Sequence, residues 1–284
     1  MKIIPGNKVP SKEQIDNLIT IGLDEDIGLG DITTRSIVSS DAIYVAEIMT
    51  RENIILCGLY IFKSVFSQLD PDASFLDDCF SDGDYIKSNT KILGIKAKGV
   101  ALLEGERVAL NILQRLSGIA SLTNQYAKKA DPIQILDTRK TTPGLRSFEK
   151  YAVSCGGGKN HRFGLYDAIL IKDNHIKASG GIIHAVNKVK ESHNNSIQIE
   201  VETTTIAEVR EAIEAKSDII MLDNMSIENI KKAVHIIDGR ARTEVSGSIS
   251  IDQLSMLSKV NIDYISIGAL THSPKASDIT MNFL

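Results

Sequence analysis

Two adjacent cations follow a strand-like segment in the stretch ILDTRKTTPG, residues 135–144. Like charges at the end of a strand repel one another, so Arg139 and Lys140 are most stable side by side when an anion lies between them. The run GGGKNHRFG and the segment DAILIK add His161, Arg162 and Lys172. Arginine suits bidentate recognition of a carboxylate, whereas lysine acts as a point charge on phosphate. The pattern predicts an anion site, and the simpler alternative is a solvated basic rim.

Two single acids end later strand-like segments. Glu202 ends IEVE and Asp223 ends IIMLD. Carboxylates at such positions can hold Mg²⁺ directly or through its waters, bind ribose hydroxyls, or stabilise positive charge that develops on a sugar ring. Salt bridges to the cationic cluster are the simpler interpretation, and they are compatible with each of these roles.

Small residues follow the last two strand-like segments, in VSGS at 245–248 and SIGAL at 266–270. Backbone N–H groups in such turns bind phosphate in many α/β barrels, although serine and glycine are common in turns of every kind. The run GGGKN is not a P-loop, because Val153 and Asn160 stand where that motif requires glycine and then serine or threonine.

The composition narrows the class of protein. The 284 residues are 43% hydrophobic and 24% charged, which is typical of a globular chain of one large or two ordinary domains. A net charge of -4 and the absence of tryptophan argue against nucleic-acid or membrane partners. The chain shows no signal sequence or membrane-spanning run, and its three scattered cysteines, Cys57, Cys79 and Cys155, predict reduced thiols. We therefore expect a cytoplasmic protein.

The elements that must position these residues form two patterns. Residues 12–98 combine a helix with short alternating segments, which predicts an antiparallel α+β unit, and a long helical segment follows at 101–129. Beyond it, apolar runs alternate with amphipathic helices, which predicts βα units with a parallel sheet closed, or nearly closed, into an α/β barrel. The carboxyl ends of barrel strands meet at one rim, so we expect the cations, the acids and the small-residue turns to gather there.

The longest quoted motifs resemble one family over nearly the whole chain. The segments EDIGLGDITT, GERVALNILQRLSGIAS, IEVE, IIMLDNM, VSGSI, IGALTHS and the block from DTRK to LIKDNHI are similar to those of nicotinate-nucleotide pyrophosphorylase, also called quinolinate phosphoribosyltransferase, a type II phosphoribosyltransferase. The resemblance implies an amino-terminal α/β sandwich with an antiparallel sheet, residues 1–115, and an incomplete α/β barrel, residues 116–272. The tail 273–284 is expected to return to the first domain.

The resemblance also implies a reaction and a set of roles. Quinolinate and phosphoribosyl pyrophosphate would give nicotinate mononucleotide, CO₂ and pyrophosphate for NAD synthesis, with Mg²⁺ and without an organic cofactor. A homodimer, or a higher oligomer, would share its active sites, with Arg107 reaching into the partner. Lys140, Glu202 and Asp223 would be catalytic, and the two acids would also hold Mg²⁺. The substrate-binding set would comprise Arg107, Thr138, Arg139, Lys140, His161, Arg162, Lys172, Glu202, Asp223, Ser246, Gly247, Ser248 and Gly268.

Ser248 departs from the family pattern, which usually has a second glycine there. A serine can still donate its backbone N–H but cannot adopt glycine-only conformations freely. Three other functions remain open. The molybdenum-transport-associated ModD proteins share the architecture and would act on another acid, but they lack LIKDNH as it stands here. Lys172 could form a Schiff base in a barrel lyase, and the site could bind an anion without catalysis.

Overall fold

The computed structural model describes residues 9–193 and 197–284. Two compact units divide this part of the chain. The first, here called the amino-terminal unit, holds residues up to 124, then 147–157 and 273–284; the second, the barrel unit, holds 125–146 and 158–272 apart from the gap. The predicted domain limits, 1–115 and 116–272, stay a prediction, and the units differ from them by assigning 116–124 and 147–157 to the amino-terminal unit. Residues 1–8 of the predicted first domain lie outside the described residues.

The helices have the following bounds: α1 Lys12–Ile27, α2 Thr34–Ile37, α3 Leu59–Leu69, α4 Gly99–Ala130, α5 Arg146–Cys155, α6 Asp173–Ser179, α7 Ile182–His193, α8 Ile206–Glu214, α9 Ile227–Ile237, α10 Ile251–Leu257 and α11 Ala269–His272. The strands have the following bounds: β1 Ile43–Thr50, β2 Ile54–Ile55, β3 Ser74–Leu76, β4 Tyr85–Ile86, β5 Thr90–Lys98, β6 Gln134–Leu136, β7 Ile169–Ile171, β8 Ile199–Thr203, β9 Ile219–Asp223, β10 Arg242–Ser246, β11 Tyr264–Ser266 and β12 Ile279–Phe283.

The amino-terminal unit contains an antiparallel sheet in the order β12-β1-β5-β3. The strand β12 lies in the tail and pairs with β1, with Met281 opposite Ile48. The helix α1 begins at a capping box in which Ser11 and Gln14 bond each other's backbone N–H groups. It buries Ile15, Ile19 and Leu23, which are spaced by four residues and therefore form one apolar face.

The barrel unit contains a six-stranded parallel sheet in the order β6-β11-β10-β9-β8-β7. Its strands are short, and β9 and β11 are buried almost throughout, as expected when helices cover a parallel sheet. Within the described residues β6 and β7 are edge strands that do not pair with each other. The predicted fold class, an antiparallel α/β domain followed by an incomplete α/β barrel, is confirmed.

The loops after the strands set where the helices begin. Thr205 and Glu208 form a capping box at α8, and the Ser226 hydroxyl accepts the N–H of Asn229 at the start of α9. Each cap lies within a few residues of the end of its strand, β8 or β9. The loops at the carboxyl ends of these two strands are therefore short. Within residues 9–193 and 197–284, no helix is both long and apolar enough to span a lipid bilayer.

Candidate active site

A cavity of about 770 Å³ opens at the carboxyl ends of the parallel strands in the barrel unit. The structure brings the predicted site residues of this unit together in its lining: Thr138, Arg139, Lys140, His161, Arg162, Lys172, Glu202, Asp223, Ser246, Gly247, Ser248 and Gly268. Arg107 is not among these lining residues and is exposed on α4 in the amino-terminal unit. The expectation that strand-end residues gather at one rim therefore holds for this group.

Asp137 fixes two segments of the rim to each other. It is fully buried directly after β6, where one carboxylate oxygen accepts the His161 backbone N–H at 2.9 Å and the other accepts the Asn160 side-chain amide at 2.7 Å. The backbone of Lys159 also bonds to Ile135 and to Asp137. These charge-assisted hydrogen bonds hold the loop that carries His161 and Arg162 against the carboxyl end of β6.

Arg139 and Lys140 line the cavity from the loop that follows β6. The Arg139 Nε is buried and lacks a hydrogen-bond partner among the described residues, so it can donate to a ligand. Thr271 donates its hydroxyl to the Lys140 carbonyl at 2.8 Å and fixes the backbone. A Cβ at Gly268 would lie 2.9 Å from the Lys140 Cδ, so the glycine leaves room for the lysine side chain.

Arg162 is only 5% exposed, and its Nη1 donates to the Ala168 carbonyl at 3.3 Å. Burial lowers the pKa of its guanidinium, and the neighbouring positive charge of Arg139 lowers it further. Two guanidinium groups that repel each other at low exposure are stabilised when an anion binds between them. This is the arrangement expected for a carboxylate or phosphate site rather than for a solvated basic rim.

His161 lines the cavity and lies between two buried glutamates. Its Nε2 is 3.0 Å from Glu200 and 3.7 Å from Glu244, and both carboxyl groups are 1% exposed. Burial lowers the pKa of His161, but the two carboxylates outweigh it and raise the pKa to about 9. The Arg162 backbone N–H lies 2.8 Å from His161 Nδ1, which can accept it only when the ring is neutral; the Nε2 proton then points at Glu200.

Glu244 is the most strongly perturbed acid of the cluster. Burial raises the pKa of its carboxyl, and repulsion from Glu200 adds to the effect, so that the pKa reaches about 8. The sequence analysis missed Glu200, Glu244 and Asp137. A usable signal existed for the two glutamates, because each is an acid inside a strand-like segment rather than at its end, in IEVE and TEVS.

The two predicted acids stand on neighbouring strands. Glu202 pairs in register with Met221 of β9, two residues before Asp223. The Lys172 Nζ is 2.6 Å from a Glu202 oxygen, which is the predicted salt bridge for that acid, and Asp223 accepts the Asn224 side-chain amide at 2.7 Å. Both carboxylates face the cavity, and their hard oxygen atoms fit Mg²⁺, which binds through one or two carboxylates and keeps several waters.

The turn after β10 resolves the question raised by Ser248. The backbone needs a positive φ at Gly247, where φ is +130°, and an added Cβ would come within 2.6 Å of the Asn224 Oδ1. Ser248 is not among the described non-glycine residues with positive φ. A serine at that position therefore carries no left-handed strain.

Comparisons with known proteins agree with this geometry. The family model described as quinolinate phosphoribosyl transferase, C-terminal domain, matches residues 119–282, and the model for the N-terminal domain matches residues 31–117. A probable nicotinate-nucleotide pyrophosphorylase [carboxylating] of Bacillus subtilis is 44% identical over 272 residues, which cover 95% of this chain and 93% of that protein. A quinolinate phosphoribosyltransferase [decarboxylating] of Nicotiana tabacum is 40% identical over 94% of this chain and 81% of its own length.

Solved structures show the same fold. The crystal structure of NadC from Streptococcus pyogenes has a TM-score of 0.93 and 42% identity, with 98% of this chain and 99% of that chain covered. The nicotinate-nucleotide pyrophosphorylase from Francisella tularensis also has a TM-score of 0.93 and 42% identity, over 100% of this chain and 99% of that one. On this agreement of both domain models, sequence relatives and structures, the chain belongs to the quinolinate phosphoribosyltransferase family.

Proposed function

We propose that this chain is a decarboxylating quinolinate phosphoribosyltransferase, which converts quinolinate and phosphoribosyl pyrophosphate to nicotinate mononucleotide, CO₂ and pyrophosphate. The observation that carries the proposal is the cavity rim, where Arg139, Lys140, Arg162 and Lys172 meet within a chain of this family. Both reactants are strongly anionic, and each charge-assisted hydrogen bond to them contributes about 1.5–3 kcal/mol.

The first task of the cationic side chains is to bring the two anions together. The unpartnered Nε of Arg139 and the buried guanidinium of Arg162 suit the quinolinate dicarboxylate, because two planar forks can bind two carboxylates. Lys140 and Lys172 suit the pyrophosphate. Alignment of the pyridine nitrogen with ribose C1 makes the reaction effectively unimolecular, an effect that reaches roughly 7–11 kcal/mol.

The acids and the small-residue turns fit the sugar. As the bond from C1 to the pyrophosphate oxygen breaks, positive charge grows on the ribose ring, and the carboxylates of Glu202 and Asp223 stabilise it. The turn at 246–248, with Gly268 nearby, offers backbone N–H groups to the 5-phosphate. Mg²⁺ bound at Glu202 and Asp223 would neutralise charge on the departing pyrophosphate.

Loss of CO₂ then requires no organic cofactor. Once the pyridine nitrogen carries the ribose it is cationic, so it stabilises the electron pair that stays on ring carbon C2 when the bond from C2 to its carboxylate breaks. The ring carbon takes a proton, and the remaining carboxylate stays bound by Arg139 and Lys140. We assign Lys140 as catalytic because it is the exposed cation at the mouth of the cavity and can serve both anions.

The family membership supports a homodimer with shared active sites as part of the proposal. Arg107 is exposed on α4, as a residue offered to a partner subunit must be, and we propose that it enters the partner's quinolinate pocket. We also propose a cytoplasmic location without nucleic-acid or membrane partners, in line with the net charge of -4.

A Schiff-base lyase is disfavoured by the surroundings of Lys172. Lysines that form Schiff bases are activated by an apolar pocket or by a second cation. The Lys172 side chain is instead 43% exposed and paired with Glu202 at 2.6 Å. An ion-paired, partly solvated ammonium group is suited to holding an anion.

The decisive experiment measures pyrophosphate release with quinolinate or nicotinate as the acceptor. We expect release with quinolinate alone, together with stoichiometric CO₂. Arg139→Ala should lower kcat/KM by at least about 100-fold, because it removes bonds worth roughly 1.5–3 kcal/mol each. The matched control, Arg210→Ala, changes an exposed arginine outside the cavity lining and should keep full activity. Turnover of nicotinate, binding without turnover, or a fully active Arg139→Ala variant would each reject the proposal.

A further inference from the structure

A second cluster of reactive side chains lies in the amino-terminal unit, remote in function from the cavity described above. The sulfur atoms of Cys57 and Cys155 and a carboxylate oxygen of Asp82 all lie within 4.8 Å of one another. Tyr151 borders the cluster and donates its hydroxyl to Asp82 at 2.9 Å. The proposed transferase reaction uses none of these groups.

The backbone holds the first cysteine firmly. Cys57 is fully buried between β2 and α3, its N–H donates to the Ser117 hydroxyl oxygen at 3.1 Å, and that hydroxyl donates to the Cys57 carbonyl at 3.3 Å. Cys155 is the last residue of α5 and is partly exposed. One thiol of the pair is therefore sealed from solvent while the other can be reached by a small reagent.

The two sulfur atoms also differ in acidity. Burial raises the pKa of the Cys57 thiol well above its usual value. The hydrogen bond from Cys57 lowers the pKa of Cys155, against the opposing effect of burial. The buried Cys57 thiol is thus protonated, and the accessible Cys155 sulfur beside it forms a thiolate more readily. This combination is typical of a resolving cysteine, here Cys57, next to a reactive one, here Cys155.

Asp82 decides between a metal site and a redox site. Its Oδ1 accepts the Leu59 backbone N–H at 2.9 Å and its Oδ2 accepts the Tyr151 hydroxyl at 2.9 Å. Both oxygens therefore already accept a hydrogen bond, one from the backbone at the start of α3 and one from the tyrosine. A zinc ion would in addition need Cys57 as a thiolate in a buried position. The contacts therefore favour chemistry between the two sulfur atoms.

We propose that Cys57 and Cys155 are a reversible redox pair that closes to an intramolecular disulfide when the chain meets a hydroperoxide. The Cys155 thiolate attacks the terminal oxygen of the hydroperoxide, the O–O bond breaks, and the alkoxide leaves as an alcohol after taking a proton. The Cys57 sulfur then attacks the resulting sulfenic acid, the S–O bond breaks, and water leaves with the Cys57 proton. The thiols lose two electrons to the peroxide, and a dithiol reductant returns them.

The test uses hydrogen peroxide on the full chain, followed by thiol counting and peptide mass spectrometry. The chain has three cysteines, and Cys79 is exposed, so Cys79→Ser provides a matched control. We expect that peroxide abolishes both remaining thiols of Cys79→Ser, yields one disulfide-linked peptide pair, and is reversed by dithiothreitol. In the Cys79→Ser background, Cys57→Ser should trap a sulfenic acid on Cys155 that dimedone labels.

Three results would overturn the redox pair itself. The first is that both thiols of Cys79→Ser persist at a peroxide concentration that oxidises free cysteine. The second is a disulfide that joins two chains. The third is one equivalent of zinc in the purified chain that is lost when Cys155 is replaced. Far-ultraviolet circular dichroism tests whether each variant is folded. If dimedone labels Cys57 in folded Cys155→Ser, the assigned roles are reversed and the mechanism is refuted.

Discussion

Replacing Glu244 by glutamine is expected to flatten the dependence of stability on pH. The carboxyl is 1% exposed, and its pKa rises from 4.5 in the unfolded chain to about 8 in the folded chain. The folded state therefore binds this proton more tightly than the unfolded state does. The stabilisation is fully present below pH 4.5 and is lost as the pH rises toward 8.

The size of the effect follows from the shift. A pKa change from 4.5 to about 8 is 3.5 units, or about 5 kcal/mol at 1.36 kcal/mol per unit, and about 3 kcal/mol of it is lost by pH 7. His161 contributes with the same sign, because its pKa is raised to about 9 and its share is lost between pH 6.5 and 9. Glutamine cannot ionise, and it also removes one of the two carboxylates that raise the pKa of His161.

Urea unfolding at fixed protein concentration, followed by far-ultraviolet circular dichroism because the chain has no tryptophan, measures this effect. Between pH 5 and 8 the wild-type free energy of unfolding should fall by several kcal/mol more than that of Glu244→Gln. Glu228→Gln is the control, since Glu228 is exposed and its pKa is lowered, so its contribution is lost only at acid pH. A Glu244→Gln slope as steep as that of the wild type would refute the electrostatic account of this cluster.

The remaining predictions concern the rim and the partner subunit. Gly247→Ala should weaken phosphoribosyl pyrophosphate binding by about 1–3 kcal/mol, read as a rise in its KM, because φ is +130° and the new Cβ would press on Asn224; an unchanged KM would contradict this. Asp137→Ala should lower the free energy of unfolding by about 2–5 kcal/mol, because two buried donors lose their acceptor, and a loss below 0.5 kcal/mol would count against it. Mixing inactive Arg107→Ala with inactive Arg139→Ala should restore part of the activity by subunit exchange, and the absence of any recovery would argue against shared sites.

Much of the rim could be predicted because the sequence shows where the strands of a parallel sheet end. Short, mostly apolar runs mark where β6, β7 and β9 stop, and the polar residues at or after those ends lie at the carboxyl edge. Arg139, Lys172 and Asp223 were identified in this way, and the structure places all three at one cavity. No spacing rule links Arg107 to that cavity, and only the family resemblance singled it out.

The buried partners could not be predicted in the same way. Glu200 and Glu244 lie in the middle of strands, where alternation alone allows a charge to face either a helix or the barrel interior. Their distances to His161, 3.0 and 3.7 Å, depend on how β8, β10 and the 156–164 loop are placed around the interior. Likewise, the close approach of Cys57 to Cys155 joins residues far apart in the chain.

The sequence by itself determined the order of elements, the parallel character of the second sheet and the types of side chain at its rim, because hydrophobic period and strand length are local properties of the chain. The tertiary structure alone decided which of those side chains meet, which glycine needs a positive φ, and which buried acids change their pKa. Those properties depend on distances between distant segments and on exclusion from water, and both exist only once the chain has packed.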